Sequence, residues 1–186
     1  VPGDHCANAR VFLDEAFTHE DGTTIRYAFG CWYIWIGPKW RVVDEEVVSR
    51  RLRKWAEQKA TLDENQVPVP FKPNLRFVAE TLDAIRAAVA WDIEEIDGAV
   101  WEGKPPFTGP MISVRNGILN VRTGRLCDHT PRLFNITAVN AEWHGTGNVG
   151  ASAWGKFIKS ITPADLSQIE LLQEFFGYSL TQDTHM

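Results

Sequence analysis

Five histidines, His5, His19, His129, His144 and His185, are where a metal site or an acid–base mechanism would begin, and their spacing supports neither. None falls in an H-E-x-x-H pattern, which sets two imidazoles on one helical face, and no serine occupies a G-x-S-x-G elbow. Cys127 and His129 stand two apart, so on a strand they share a face and could act as nucleophile and base, although plain packing produces the same alignment. Cys6, Cys31 and Cys127 form no C-x-x-C pair, which argues against a disulfide framework or zinc knuckle and for reduced thiols. Asp92, Glu94, Glu95 and Asp97 cluster, yet magnesium sites usually draw ligands from separate elements and a substrate phosphate, so a solvated helix end is the plainer reading. "EGKPP" and "WGKF" lack the glycine spacing and hydroxyl residue of a phosphate loop, and "GTGNVG" fits no dinucleotide fingerprint.

What remains is arginine. The formal net charge is -5, so the whole surface is not built to grip nucleic acid and any such contact must be local. Residues 39–59 and 115–134 nevertheless each carry a net charge of +3, whereas residues 163–186 contain no lysine or arginine. In the first stretch Val48, Leu52 and Trp55 make a buried stripe, which leaves Arg50, Arg53 and Lys54 on the opposite helical face with Arg51 at its edge. That face could track a phosphate backbone, or be a solvated face partly neutralised by Glu46–Arg50 and Arg53–Glu57 pairs. In the second stretch Arg115, Arg122 and Arg125 adjoin the turn signals Asn116-Gly117 and Thr123-Gly124. Trp32, Tyr33, Trp35 and Trp40 could stack bases, or be the core of a small sheet.

The elements that must position these residues follow from pattern. A helix is expected over about 8–17, then two or three short strands in "YAFGCWYIWIGPKWRVV", then a helix capped by Asp44 with Glu45 and Glu46 in its first turn. "ENQVPVPFKP" is a connector that cannot be helical, and Val78, Leu82, Ile85 and Val89 mark the clearest helix. After the breaker "WEGKPPFTGP", "MISV", "GILNV" and "RLCDH" read as a meander, and "RLFNITAVNAEW" as a further strand. A loop at 145–150 leads to a short amphipathic helix, "SAWGKFIKSI", and to a last helix with Thr162 as cap, Pro163 at its first position, Asp165 closing the box and Gly177 as its stop. The expected class is α+β, with short antiparallel hairpins and meanders packed on about five helices. The parts are 1–104, 105–162 and 163–186, or one compact domain overall. A chain of 186 residues that is 44% hydrophobic can bury one substantial core, or two small ones sharing an interface. No run approaches a membrane span and no signal peptide is indicated, which places the chain in a cytoplasm.

The strings "ISVRNGILNVRTGRLCDHTPRLFNITAVNAEW", "AWGKFIKSI" and "IELLQEFFGYSLTQDT", in that order, resemble the middle domain of phage, plasmid and poxvirus primase-helicases. That family has an N-G, two hydrophobic residues, D or N, then T-G or S-G ahead of H-T-P, followed by a W-x-x-F helix and an L-L-Q-E…G-Y-x-L segment. "RYAFGCWYIWIGPKWRVVDEEVVSRRLRKW" is similar to the family's aromatic hairpin and basic helix. The resemblance implies a non-catalytic linker domain between a primase and a superfamily 3 hexameric helicase, in a bacterial or phage-infected host cytoplasm. ATP and magnesium would belong to the parent's helicase, with no cofactor here. The implied partners are single-stranded or forked DNA, the adjacent primase and helicase domains, and further copies in a homo-oligomer, with no membrane. Arg50, Arg51, Arg53, Lys54, Arg115, Arg122 and Arg125 are the expected phosphate contacts. Leu172, Phe175, Phe176 and Tyr178 are the expected oligomer or helicase interface. The alternative is a pure protein–protein interaction or oligomerisation module that never touches DNA.

Overall fold

The structure is a computed structural model that describes residues 3–91, 99–145, 153–162 and 166–179. Helix α1 spans His5–Ala16 and starts three residues before the expected boundary. Its cap is Asp4, whose side chain accepts from the Ala7 N–H at 2.8 Å. A small hairpin of β1 (Thr18–His19) and β2 (Gly22–Thr23) precedes the central antiparallel sheet of β3 (Ile25–Ala28), β4 (Cys31–Trp35) and β5 (Trp40–Val43). Phe29 and Gly30 join β3 to β4 with φ of +51° and +73°, the geometry of a type I′ turn.

Both faces of this sheet are covered, and strand alternation decides which residue serves which face. Ile25, Trp32 and Ile34 face α1, α2 (Glu45–Glu57) and α3 (Leu75–Val89), in a core with Phe12, Val48, Leu52, Val78 and Ile85. Ala28, Tyr33 and Trp40 face the other way, onto Phe134, with Trp35 and Trp91 at the margin. The tryptophan group is therefore core: Trp32 and Trp40 are 2% and 1% exposed and offer no platform for bases. Between α2 and α3, β6 (Ala60–Leu62) pairs with β7 (Pro68–Pro70), so the proline-rich connector forms a hairpin.

The later strands are β8 (Val100–Trp101), β9 (Met111–Val114), β10 (Gly117–Asn120), β11 (Leu126–Cys127) and β12 (Leu133–Phe134). Strands β9, β10 and β11 form the expected meander, and β12 pairs with β8. The strand expected over 132–143 shrinks to two residues. Beyond Phe134, the Asn135 side chain donates to the Pro38 carbonyl at 3.1 Å and to the Thr137 carbonyl at 2.6 Å, and this local bonding turns the chain away.

Helix α4 spans Ala153–Ile161 and α5 Leu166–Ser179. Gly177 does not stop α5, because it lacks the left-handed conformation that a C-terminal glycine supplies. Thr162 turns its hydroxyl back to the Ile158 carbonyl at 2.8 Å, at the end of α4. Pro163, Asp165, the loop residues 146–150 and the Asp92, Glu94, Glu95, Asp97 cluster lie outside the described residues. Among the described residues, five helices and short antiparallel strand pairs make the fold α+β.

Candidate nucleic-acid interface

The arginines divide into two kinds once placed. Several are spent internally. Arg26 pairs with Glu102 and lies 5.3 Å from the Trp91 ring centre. Arg86 pairs with Glu45 at 2.5 Å and covers Tyr27. Arg132 donates to the Glu102 and Lys104 carbonyls, pinning the 102–104 turn. These guanidiniums do structural work at half-buried positions.

The expected phosphate contacts are on the surface, but not all equally free. On α2, Arg50 is held by Glu46 at 3.0 Å, as the i, i+4 spacing predicts. Arg51 stands 5.4 Å over the Phe17 ring. The expected Arg53–Glu57 pair does not form, and Arg53 and Lys54 make no ion pair among the described residues. Asp44 is the N-cap residue of α2, but its side chain makes no capping bond.

The second group is split by the meander. Arg115 and Asn116 are the two turn residues between β9 and β10, while Arg122 and Arg125 belong to the loop between β10 and β11, about 10 Å away along β10. Arg115 is loosely engaged by Glu142 at 3.8 Å; Arg122 and Arg125 are exposed without an ion pair among the described residues.

Residues that the charge pattern passed over hold these turns in shape. Asn120 is 1% exposed, and its side-chain oxygen accepts from the N–H groups of Arg122 and Thr123 while its amide donates to the Thr108 carbonyl at 2.9 Å. It is an Asx turn built into the end of a strand. Asn116 exchanges two bonds with the Trp143 backbone at 2.8 and 2.9 Å, and the Trp143 indole donates to the Gly124 carbonyl at 3.2 Å. One residue thus bridges both turns. Asparagine beside a hydrophobic strand was the available sign; the distant tryptophan gave none.

One member of each basic group, Arg51 and Arg115, lies toward the same end of the central sheet. The Phe17 carbonyl under Arg51 accepts from Thr24, the Thr24 carbonyl accepts from Trp35, and the following turn holds Lys39. On the other side of that turn the Ser113 hydroxyl donates to the Pro38 carbonyl, two residues before Arg115.

Cys127 and His129 are not brought together as nucleophile and base. His129 lies within reach of Ser113 Oγ at 3.5 Å and the Arg115 carbonyl at 3.4 Å rather than of Cys127. Burial, and then the Asp128 charge, pushes the Cys127 thiol up, opposite to what a nucleophile needs. No group of three or more His, Cys, Asp or Glu suited to a metal occurs among the described residues.

On the expected oligomer face, Phe175 and Phe176 are exposed and Leu172 is half-buried. Tyr178 lies in the last turn of α5, with its side chain outside the described part. No helix among the described residues is long and apolar enough to cross a membrane. A family model described as D5 N terminal like matches residues 9–163. No curated protein matches the chain.

Proposed function

The chain belongs to the D5 N terminal like family, the N-terminal region of D5-like primase-helicase proteins, and on that premise we propose that it is a non-catalytic DNA-guiding domain of a DNA-replication protein. One observation carries this reading. Arg53 and Lys54 on α2, and Arg122 and Arg125 in the loop between β10 and β11, are left without ion pairs among the described residues, while Arg26, Arg86 and Arg132 are consumed inside the fold. Cations so placed would hold a phosphate backbone without reading sequence. Arg51 and Arg115 would join them; Arg50, already neutralised by Glu46, would contribute less. ATP and magnesium chemistry would belong to another domain of the parent protein, a hexameric helicase.

Fluorescence anisotropy with single-stranded and forked DNA across a salt series tests this. Binding should weaken as salt rises, with a slope of roughly 0.7 per phosphate contacted on single strands. R53A/K54A/R122A/R125A should flatten that slope, and R50A should change it little. Binding that ignores salt, or that survives the quadruple substitution unchanged, overturns the DNA role.

The second reading, an interaction module without DNA contact, is favoured by the exposed Phe175 and Phe176 on α5. Light scattering of the chain would then report self-association while the anisotropy stayed flat.

A further inference from the structure

The hairpin of β6 and β7 has two edges of unequal character. Its register sets Ala60 against Pro70, Thr61 against Val69 and Leu62 against Pro68. The ladder is closed at one end by the Lys59 carbonyl, which accepts from the Phe71 N–H at 2.8 Å, and at the other by the Asp63 N–H, which donates to the Val67 carbonyl at 2.9 Å. Bonded and non-bonded pairs alternate along an antiparallel ladder, so Ala60, Leu62, Pro68 and Pro70 turn their backbone groups outward. On β7 both outward positions are proline, which has no N–H to offer and closes that edge. On β6 both outward positions keep donor and acceptor, and neither Ala60 nor Leu62 makes a backbone bond beyond the hairpin among the described residues. Both are exposed, Leu62 by 56%.

Ala60 and Thr61 also line a cleft beside this open edge. It has a volume of about 270 Å³ and an apolar lining of Val11 from α1, Trp55 from α2, Phe71, and Phe77 from α3. That is below the roughly 300–1,000 Å³ of small-molecule sites and suits a side chain. Among the described residues that line it, Lys59 is the one charge, and Glu15 holds its ammonium at 2.6 Å, which leaves no free cation there for a phosphate. A second copy pairing edge to edge would bring nothing for the cleft either. The residues of its own β6 stretch on that side, Lys59 and Thr61, are turned into their own fold.

We propose that an extended segment of a protein partner adds to β6 as a third strand, its backbone bonding to Ala60 and Leu62 and an apolar side chain entering the cleft. Strand addition takes its affinity from the backbone and its selectivity from pockets that receive alternate side chains, and here both parts stand side by side. The segment is therefore apolar at the position over the cleft, and free of proline where it faces the Ala60 and Leu62 carbonyls. The site uses none of the arginines of the proposed DNA contact and no residue of α5, so it stands apart from both readings above.

Selection of a phage-displayed library of random peptides on the full chain tests it, with the enriched peptides then synthesised, labelled and titrated by fluorescence anisotropy. Enriched sequences should share apolar residues at alternate positions, and binding should slow hydrogen exchange at the Ala60 and Leu62 amides. Leu62→Pro gives β6 the protection that β7 already has, and should weaken binding about tenfold or more with the circular dichroism spectrum unchanged. Leu62→Ala keeps the N–H and should bind as the parent does. Val11→Gln, which places an amide in the cleft without touching the hairpin, should weaken binding to a similar degree. A library that yields no binder, or binders that leave the Ala60 and Leu62 amides unprotected, overturns the proposal. Binding lost with Val11→Gln but kept with Leu62→Pro makes the cleft a simple side-chain pocket and overturns strand addition. A dimer of the chain that Leu62→Pro dissolves, seen by sedimentation velocity, gives the edge to a second copy and overturns the choice of partner.

Discussion

Gly117 shows how much of the basic hairpin depends on one missing methyl group. Its φ is +152°, and a Cβ there would stand 2.4 Å from the Cys127 carbonyl oxygen and 2.9 Å from Leu126 Cγ. Both restraints act against any side chain, since neither the backbone of β11 nor the branched leucine can withdraw cheaply. Gly117→Ala should therefore cost roughly 2–3 kcal/mol in urea denaturation, a core-sized effect from a turn position. Asn-Gly was legible as turn chemistry from sequence alone. The close approach of β11 was not, because it is a contact ten residues away that no local pattern encodes. The same holds for the arginines: Arg132 reads like Arg125 in sequence, and only the fold shows that one is half-buried and bonded to backbone carbonyls and the other left in solvent.

The helices were the readable elements. Val48 and Leu52 on α2, and Val78, Leu82, Ile85 and Val89 on α3, are all buried as their spacing requires. The short strands were harder, since two residues such as Leu133 and Phe134 pair only because Val100 and Trp101 arrive beside them. What clasps the helices together was not readable either. Glu15 on α1 receives the Trp55 indole at 2.7 Å and Lys59 at 2.6 Å; His5 on α1 reaches Glu80 at 2.7 Å and Thr81 at 3.0 Å, with Arg76 also on Glu80. The hydrogen bond from Lys59, then that from Trp55, holds the Glu15 carboxyl below its ordinary range, and the bond from Arg76 does the same for Glu80. A carboxylate depressed in the folded state lends stability above its unfolded-state value and loses it as pH falls through the folded one. The thermal midpoint should thus drop on acidification below about pH 4. E15Q/E80Q should show a smaller drop between pH 6 and pH 3; an identical profile would remove these clasps from the account of acid sensitivity.

At the scale of the whole molecule, the three-stranded sheet carries a core on each face, a large one with α1, α2 and α3 and a small one around Phe134. Phe134 is the keystone of the smaller core. It is fully buried and meets Tyr33 and Trp91 at 5.0 Å and Trp40 at 5.5 Å between ring centres. Phe134→Ala should cost about 3–5 kcal/mol. Hydrogen exchange should then quicken in β3, β4 and β5 before it does in α3, since only the near face loses its cover. The two-faced sheet also sets an order of events during synthesis. Its strands and first helix emerge early, whereas Leu133, which accepts the Trp40 indole N–H, follows 93 positions later. At ribosomal speeds of about 5–20 residues per second, Tyr33 and Trp40 wait on the order of 5–20 s for their partner, a window in which a nascent chain with a bare aromatic face is a natural client for a chaperone.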